Sequence, residues 1–220
     1  AKRVIVSSGS ISFDQLGATD IGHQFAKQFG HEITRLDPAL VGFTVLPEQR
    51  WFKELSGLST EVTVSVDGKK IPGNILCAHK GISGPAIMVA SLYWKKGKIS
   101  VDFLPKTSLQ KLLNKGEKRN ISTLLPLPKR FSKAILHAIG LKDKACNALS
   151  DEDREKLSLL KSYDFAPAGT FGFKRAEVTR GGVKTDMVSS TTLESNLVDG
   201  LFFTGEVLDI TGELGGYNLQ

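Results

Sequence analysis

Cysteine, methionine and tryptophan are scarce in this sequence, with two of each in 220 residues. Cys77 and Cys146 lie far apart and outside any Cys-x-x-Cys pattern, which excludes a disulfide framework and a cysteine-based zinc site. Both read as reduced, buried, structural thiols. The histidines His23, His31, His79 and His137 show no metal-ligand spacing, so no metal is expected. No apolar run approaches the roughly 20 residues of a membrane helix. Ala1-Lys2-Arg3 leads straight into a strand pattern, without the apolar stretch and cleavage site of a secretory signal. These absences predict a cytoplasmic protein with no membrane partner. Ser83, in Gly81-Ile-Ser-Gly-Pro85, is not a Gly-x-Ser-x-Gly nucleophile elbow. No Gly-x-Gly-x-x-Gly occurs in the chain, and neither repeats nor low-complexity linkers are present.

What is there is an ordinary globular balance, 40% hydrophobic and 24% charged, with a net charge of +6. The densest basic cluster runs over residues 115–119 and continues with Lys129, Arg130 and Lys133. It falls on a helical pattern and reads as a solvated face.

Residues 3–9 form a continuous β-branched run that predicts a strand buried on both faces, as in a parallel sheet. Ile21, Phe25 and Phe29 follow at helical spacing, with Thr19 or Asp20 to cap the start and Gly30 to end it. This β-turn-α opening belongs to an α/β layer. From about Leu46 the pattern alternates. Residues 61–66 and the resumption at Lys69 predict a hairpin through Asp67-Gly68. Further strands are expected at 75–77 and 98–103. Between 107 and 163 the period is helical, with stripes at Leu109, Leu112 and Leu113 and at Phe131, Ile135 and Ile139. Ser150 with Asp153 predicts a capping box for a helix carrying Leu157 and Leu160. Strand character returns over 171–183 and again at 201–204.

The last sixteen residues are the most informative. A buried strand ends in Gly205, Glu206 follows at once, and Gly215-Gly216 lies ten residues on. Glycine after a strand lets backbone approach a ligand without a Cβ clash. Glu206 can accept hydrogen bonds from ligand hydroxyls, and Gly215-Gly216 can aim N–H groups at an electron-rich atom.

The stretch Gly200-Leu-Phe-Phe-Thr-Gly-Glu-Val-Leu-Asp-Ile-Thr-Gly-Glu-Leu-Gly-Gly-Tyr-Asn-Leu-Gln220 resembles the C-terminal flavin motif of a bacterial family, the NAD(P)/FAD-dependent oxidoreductases of the BaiN/YhiN type. Three other segments match in the family's order. His79 with Gly81-Ile-Ser-Gly-Pro-Ala86 resembles His-x-Gly-Ile-Ser-Gly-Pro-Ala. Ala176-Glu-Val-Thr-Arg-Gly-Gly-Val183 resembles Ala-x-Val-Thr-x-Gly-Gly-Val. Phe29-Gly30-His31 and Pro38-Ala-Leu-Val41 resemble the family's Leu-Gly-His and Pro-Ala-Leu-Val. The chain departs from the family after its first strand, where Ser10, Asp20 and Ile21 replace small or acidic residues, and it lacks the family's Gly-x-Gly-x-x-Gly.

The resemblance implies an α+β, multidomain fold: part of a split FAD-binding α/β layer over 1–45 and 188–220, with two inserts. One is an antiparallel β-barrel-like domain over 46–105 and 164–187, the other a small helical subdomain over 106–163. The expected activity is flavin-mediated transfer of hydride or electrons to a small-molecule substrate, with NAD(P)H as possible reductant. The resemblance places Ser8, Gly9, Gly205, Glu206, Asp209, Gly215, Gly216, Tyr217, Asn218 and Leu219 at the cofactor. His79, Gly81, Ser83, Gly84, Thr179, Gly181 and Gly182 are expected in loops lining the cavity, and no catalytic acid or base is nominated. The chain reads as a fragment of the oxidoreductase, without FAD of its own, inactive alone, and dimeric through an unpaired strand edge. On this reading nucleic acid is not an expected partner. The alternative is a non-catalytic module whose basic helical segment, with Lys118, Arg119, Lys129, Arg130 and Lys133, binds RNA or another polyanion.

Overall fold

Residues 1–115 and 118–219 are described by the computed structural model, Lys115 and Leu219 through their backbone alone. The strands in chain order are β1 Val4–Val6, β2 Asp37–Ala39, β3 Phe43–Val45, β4 Ser59–Val66, β5 Lys69–Ala78 and β6 Gly81–Ser83. Then come β7 Ile99–Asp102, β8 Tyr163–Phe165, β9 Pro167–Thr170, β10 Val178–Arg180 and β11 Leu201–Phe203. The helices are α1 Ile21–Gln28, α2 Trp51–Glu54, α3 Pro85–Tyr93, α4 Leu109–Lys115, α5 Ile121–Leu124, α6 Lys129–Ala138 and α7 Asp151–Ser158. No helix is long and apolar enough to cross a membrane among the described residues.

The fold is mixed α/β and divides into two compact units, residues 1–41 with 170–220, and residues 42–169. The boundaries differ from those the sequence suggests. Residues 171–187, expected in the β insert, lie in the first unit because β10 pairs antiparallel with β2, Thr179 opposite Pro38.

In the first unit β1 and β11 pair in parallel, Ile5 opposite Phe202. The expected burial of β1 on both faces is not met: Ile5 is 66% exposed. Only β11 pairs with it among the described strands, so one edge of β1 stays open. Helix α1 also presents a different face from the one its apolar spacing suggests. Gly22, His23 and Ala26 are buried, while Ile21 is 64% exposed. The cause is Gly22. A Cβ there would stand 2.1 Å from Ser8 Oγ and 3.0 Å from Val207 Cγ2, so the bare face, not the large apolar one, makes the close approach. Gly30 ends the helix in the left-handed conformation, as expected.

The second unit contains a seven-stranded sheet in the order β8-β7-β4-β5-β6-β3-β9. The hairpin β4–β5 turns through Asp67 and Gly68, both at positive φ, the two-residue loop that matches strand twist. The sheet's end strands do not meet, so the expected barrel is an open sheet. The helical stretch is not a separate subdomain either. Phe131 of α6 sits 5.4 Å from Phe103 and 5.5 Å from Trp51, ring to ring, so strands and helices share one core. Ser150 and Asp153 form the expected capping box of α7, and Leu157 and Leu160 are buried. Burial pushes the Cys77 thiol up to about 12, which matches an inert structural thiol.

Because this core belongs to residues 42–169 alone, those residues expressed by themselves should unfold in one cooperative denaturant transition. A product that binds ANS and melts without a transition would show that the core needs the other unit.

Candidate functional site

Two parallel strands bring the N-terminal and C-terminal parts of the first unit to one place. The Thr204 N–H donates to Val6 O at 3.1 Å, so the loops leaving β1 and β11 start side by side at the carboxyl end of the sheet. Parallel sheets receive ligands at this end. Gly9 and Gly205 stand in these loops at φ +70° and +75°, and a Cβ on either would meet nothing within 4 Å. The backbone there is bare and faces open space.

The glycines of the other motifs differ. A Cβ on Gly181 would lie 2.2 Å from Arg35 O, and one on Gly182 would lie 2.6 Å from Val207 O. A Cβ on Gly81 would lie 2.2 Å from Phe43 O, and one on Gly84 would lie 2.6 Å from Asn74 O. These four glycines exist because neighbouring backbone occupies the Cβ position. Thr179 is buried and its hydroxyl lies 2.9 Å from Ser12 Oγ. The four glycines of the expected cavity loops thus stand where backbone segments pack closely. His79, Gly81, Ser83 and Gly84 belong to the second unit, whereas the flavin candidates belong to the first. His79 is exposed where β5 turns into β6, while Cys77 faces the core.

Glu206 is half-buried and lines a cleft of about 270 Å³ with Thr204, Gly205, Thr211, Gly212 and Tyr217. Its Oε1 accepts the Thr179 N–H at 2.5 Å. Burial raises the carboxyl above its ordinary range, and the Thr179 bond partly offsets this. No cation pairs with it among the described residues. The Thr211 hydroxyl, buried on the same cleft, has no hydrogen-bond partner. A carboxylate plus an orphan hydroxyl suits a ligand rich in hydroxyl groups better than an anion.

The loop beyond is held by Asn218. Its Oδ1 accepts the Gly212 N–H at 2.6 Å, and its Nδ2 donates to Gly212 O at 3.0 Å. Asn218 therefore braces the loop, which leaves Gly215 and Gly216 to present backbone. Both line a second cleft of about 300 Å³ with Phe13, Leu40 and Glu177. The side chain of Leu219 lies outside the described residues. Ser8 lines a different groove, with Ile5, Ile21 and Phe25, and Asp209 lines neither cleft while its N–H donates to Val183 O.

No local pattern singled out Phe13 or Leu193, and Leu40 appeared only inside the Pro38-Ala-Leu-Val41 match. All three take positive φ, which is unfavourable for bulky residues, and all three line the two clefts. The only other non-glycine residue at positive φ among the described residues is the hairpin Asp67. Three of these four residues therefore fall on the two clefts. No group of His, Cys, Asp and Glu side chains is placed to hold a metal among the described residues.

A family model described as "HI0933-like protein Rossmann domain" matches residues 1–220. A protein named "Ribosomal RNA dihydrouridine synthase" from Haemophilus influenzae is 38% identical over 228 aligned positions, covering 100% of this chain and 57% of that protein. The Escherichia coli protein of the same name is 36% identical, again over 100% of this chain and 57% of its own length. A "3-dehydro-bile acid delta(4,6)-reductase" from Clostridium scindens is 30% identical over 100% of this chain and 59% of its own length. The chain thus spans less than two thirds of the length of these relatives.

Proposed function

The chain belongs to the HI0933-like protein Rossmann domain family, and from that premise we propose that it is the flavin-facing part of an FAD-dependent reductase. In this reading the whole protein saturates a ring carbon–carbon double bond, with a uracil of ribosomal RNA as substrate and NAD(P)H as reductant. The names of its relatives support a reductase, and the two of higher identity are named for dihydrouridine in ribosomal RNA. The RNA substrate departs from the expectation drawn from charge alone.

The observation that carries the reading is the carboxyl end of β1 and β11, where bare glycine backbone at Gly9 and Gly205 adjoins a cleft with Glu206 and the orphan Thr211 hydroxyl. These residues fit the hydroxyl-bearing chain of a flavin. Bound flavin would supply a hydride to the substrate. Glu206 would accept from the cofactor's hydroxyls with the oxygen that Thr179 leaves free. Gly215 and Gly216 would offer backbone donors, with Asn218 holding the loop in shape.

The test is a pair of substitutions in the whole protein. Glu206→Gln keeps an acceptor for the Thr179 N–H, whereas Glu206→Ala removes it. Both should weaken flavin binding by roughly tenfold or more, the effect of losing a charge-assisted hydrogen bond. Only Glu206→Ala should also lower folding stability, by about 1.5–3 kcal/mol. Flavin titration and denaturant melts read the two effects separately. Parent-like flavin affinity in both variants removes Glu206 from the site. A whole protein that binds no flavin, or that adds no two hydrogens to uridine in ribosomal RNA, overturns the reading.

A further inference from the structure

In the second unit, two loops distant in sequence meet at one end of the sheet. The β4–β5 hairpin turns at Asp67-Gly68, and β7 lies beside β4 with Ser65 opposite Ser100. Lys98, just before β7, therefore falls beside the hairpin tip. A cleft of about 240 Å³ joins the two loops, lined by Asp67, Tyr93, Trp94, Lys95, Lys96 and Lys98. Lys69 enters from the other strand of the hairpin, its Nζ 4.8 Å from the centre of the Tyr93 ring. Lys70, the next residue of the strand, projects to the other face of the sheet.

Lys95, Lys96 and Lys98 thus line the cleft with Asp67, and Lys69 stands beside it over the Tyr93 ring. None of these four makes an ion pair among the described residues. Crowded like charges oppose folding, so an anionic partner that relieves the repulsion is the natural complement. The patch is also shaped in advance. Trp94 Nε1 donates to Gly97 O at 3.0 Å, which fixes the loop carrying Lys95, Lys96 and Lys98. Tyr93 and Trp94 are half-buried and offer ring surface beside the lysines. No large apolar side chain at this end is exposed for insertion into a bilayer. Cations interleaved with aromatic rings suit a nucleic acid.

We propose that Lys69, Lys95, Lys96 and Lys98 form the surface that docks the RNA substrate. The partner's identity as RNA rests on the reading under Proposed function. The patch differs from the basic helical segment apparent in the sequence, where Arg130 donates its guanidinium to Glu54 O at 3.2 Å.

Fluorescence anisotropy of a labelled RNA hairpin with a uridine-rich loop tests the proposal on the chain itself. Lys95→Gln, Lys96→Gln and Lys98→Gln together should weaken binding at least about tenfold at low salt. They should also flatten the log–log salt dependence by about 2, since each phosphate contact contributes about 0.7–0.9. A control of equal charge change, Lys129→Gln with Lys133→Gln and Lys142→Gln, should change affinity less than about threefold. Equal losses in the two triple variants would mean that net charge alone attracts RNA and would overturn the proposal, as would absence of RNA binding. Anionic phosphatidylglycerol vesicles bound as tightly as RNA through the same lysines would assign the patch to a membrane and overturn it too. Uridine reduction by the whole protein is scored separately. Its absence with patch-dependent RNA binding intact would remove the reductase reading and leave the docking surface standing.

Discussion

The 220-residue chain purified alone should be colourless, with no visible flavin band and no measurable FAD retention after gel filtration. Tight binding of a dinucleotide needs its pyrophosphate on a helix N-terminus reached through a glycine-rich turn. In the first unit the only α-helix among the described residues is α1, and it starts behind Asp20, a carboxylate that would repel the phosphates. On the proposed reading the bare glycines at 9, 205 and 216 would serve the flavin end only. Losing two or three charge-assisted hydrogen bonds, each worth about 1.5–3 kcal/mol, costs on the order of 10²-fold or more in affinity. A yellow product with one FAD per chain would prove that these residues suffice for the whole cofactor.

Gly181→Ala should unfold the first unit. A methyl group at this position would stand 2.2 Å from the Arg35 carbonyl, at φ +93°. The left-handed conformation costs about 1–2 kcal/mol and the overlap about 1–3 kcal/mol more. The unit that must absorb this has a small core built from Val6, Ala26, Val183, Val188, Leu201, Phe203, Val207 and Leu208. Hydrogen exchange should then show protection lost in β1, β2, β10 and β11 but kept in β4 and β5. Gly205→Ala, at similar φ but with nothing within 4 Å, should lose only about 1–2 kcal/mol. Equal protection in Gly181→Ala and the parent would refute the packing role.

These two glycines are the same letter with different duties, and that contrast shows where reading from sequence stops. The Asp67-Gly68 hairpin, the Ser150 capping box and the α6 stripe of Phe131 and Ile135 were all legible, because each is set by contacts a few residues apart. Gly205 and Glu206 were legible as candidates for the same reason: a strand, a glycine and an acid in succession.

What no local pattern could supply was which surface each segment meets. The apolar stripe of α1 lies outward because Gly22 packs on Ser8 and Val207, the latter more than 180 positions on in the chain. Residues 171–187 join the first unit because Thr179 pairs with Pro38 and donates its N–H to Glu206. The positive φ of Phe13, Leu40 and Leu193 is imposed by the assembled loops, not by the residues, whose own preference is against it. Local sequence thus determined those elements and named the candidate glycines. Tertiary structure alone decided which glycines stay open to a ligand and which are filled by backbone, because that depends on what a distant segment places at the empty Cβ position.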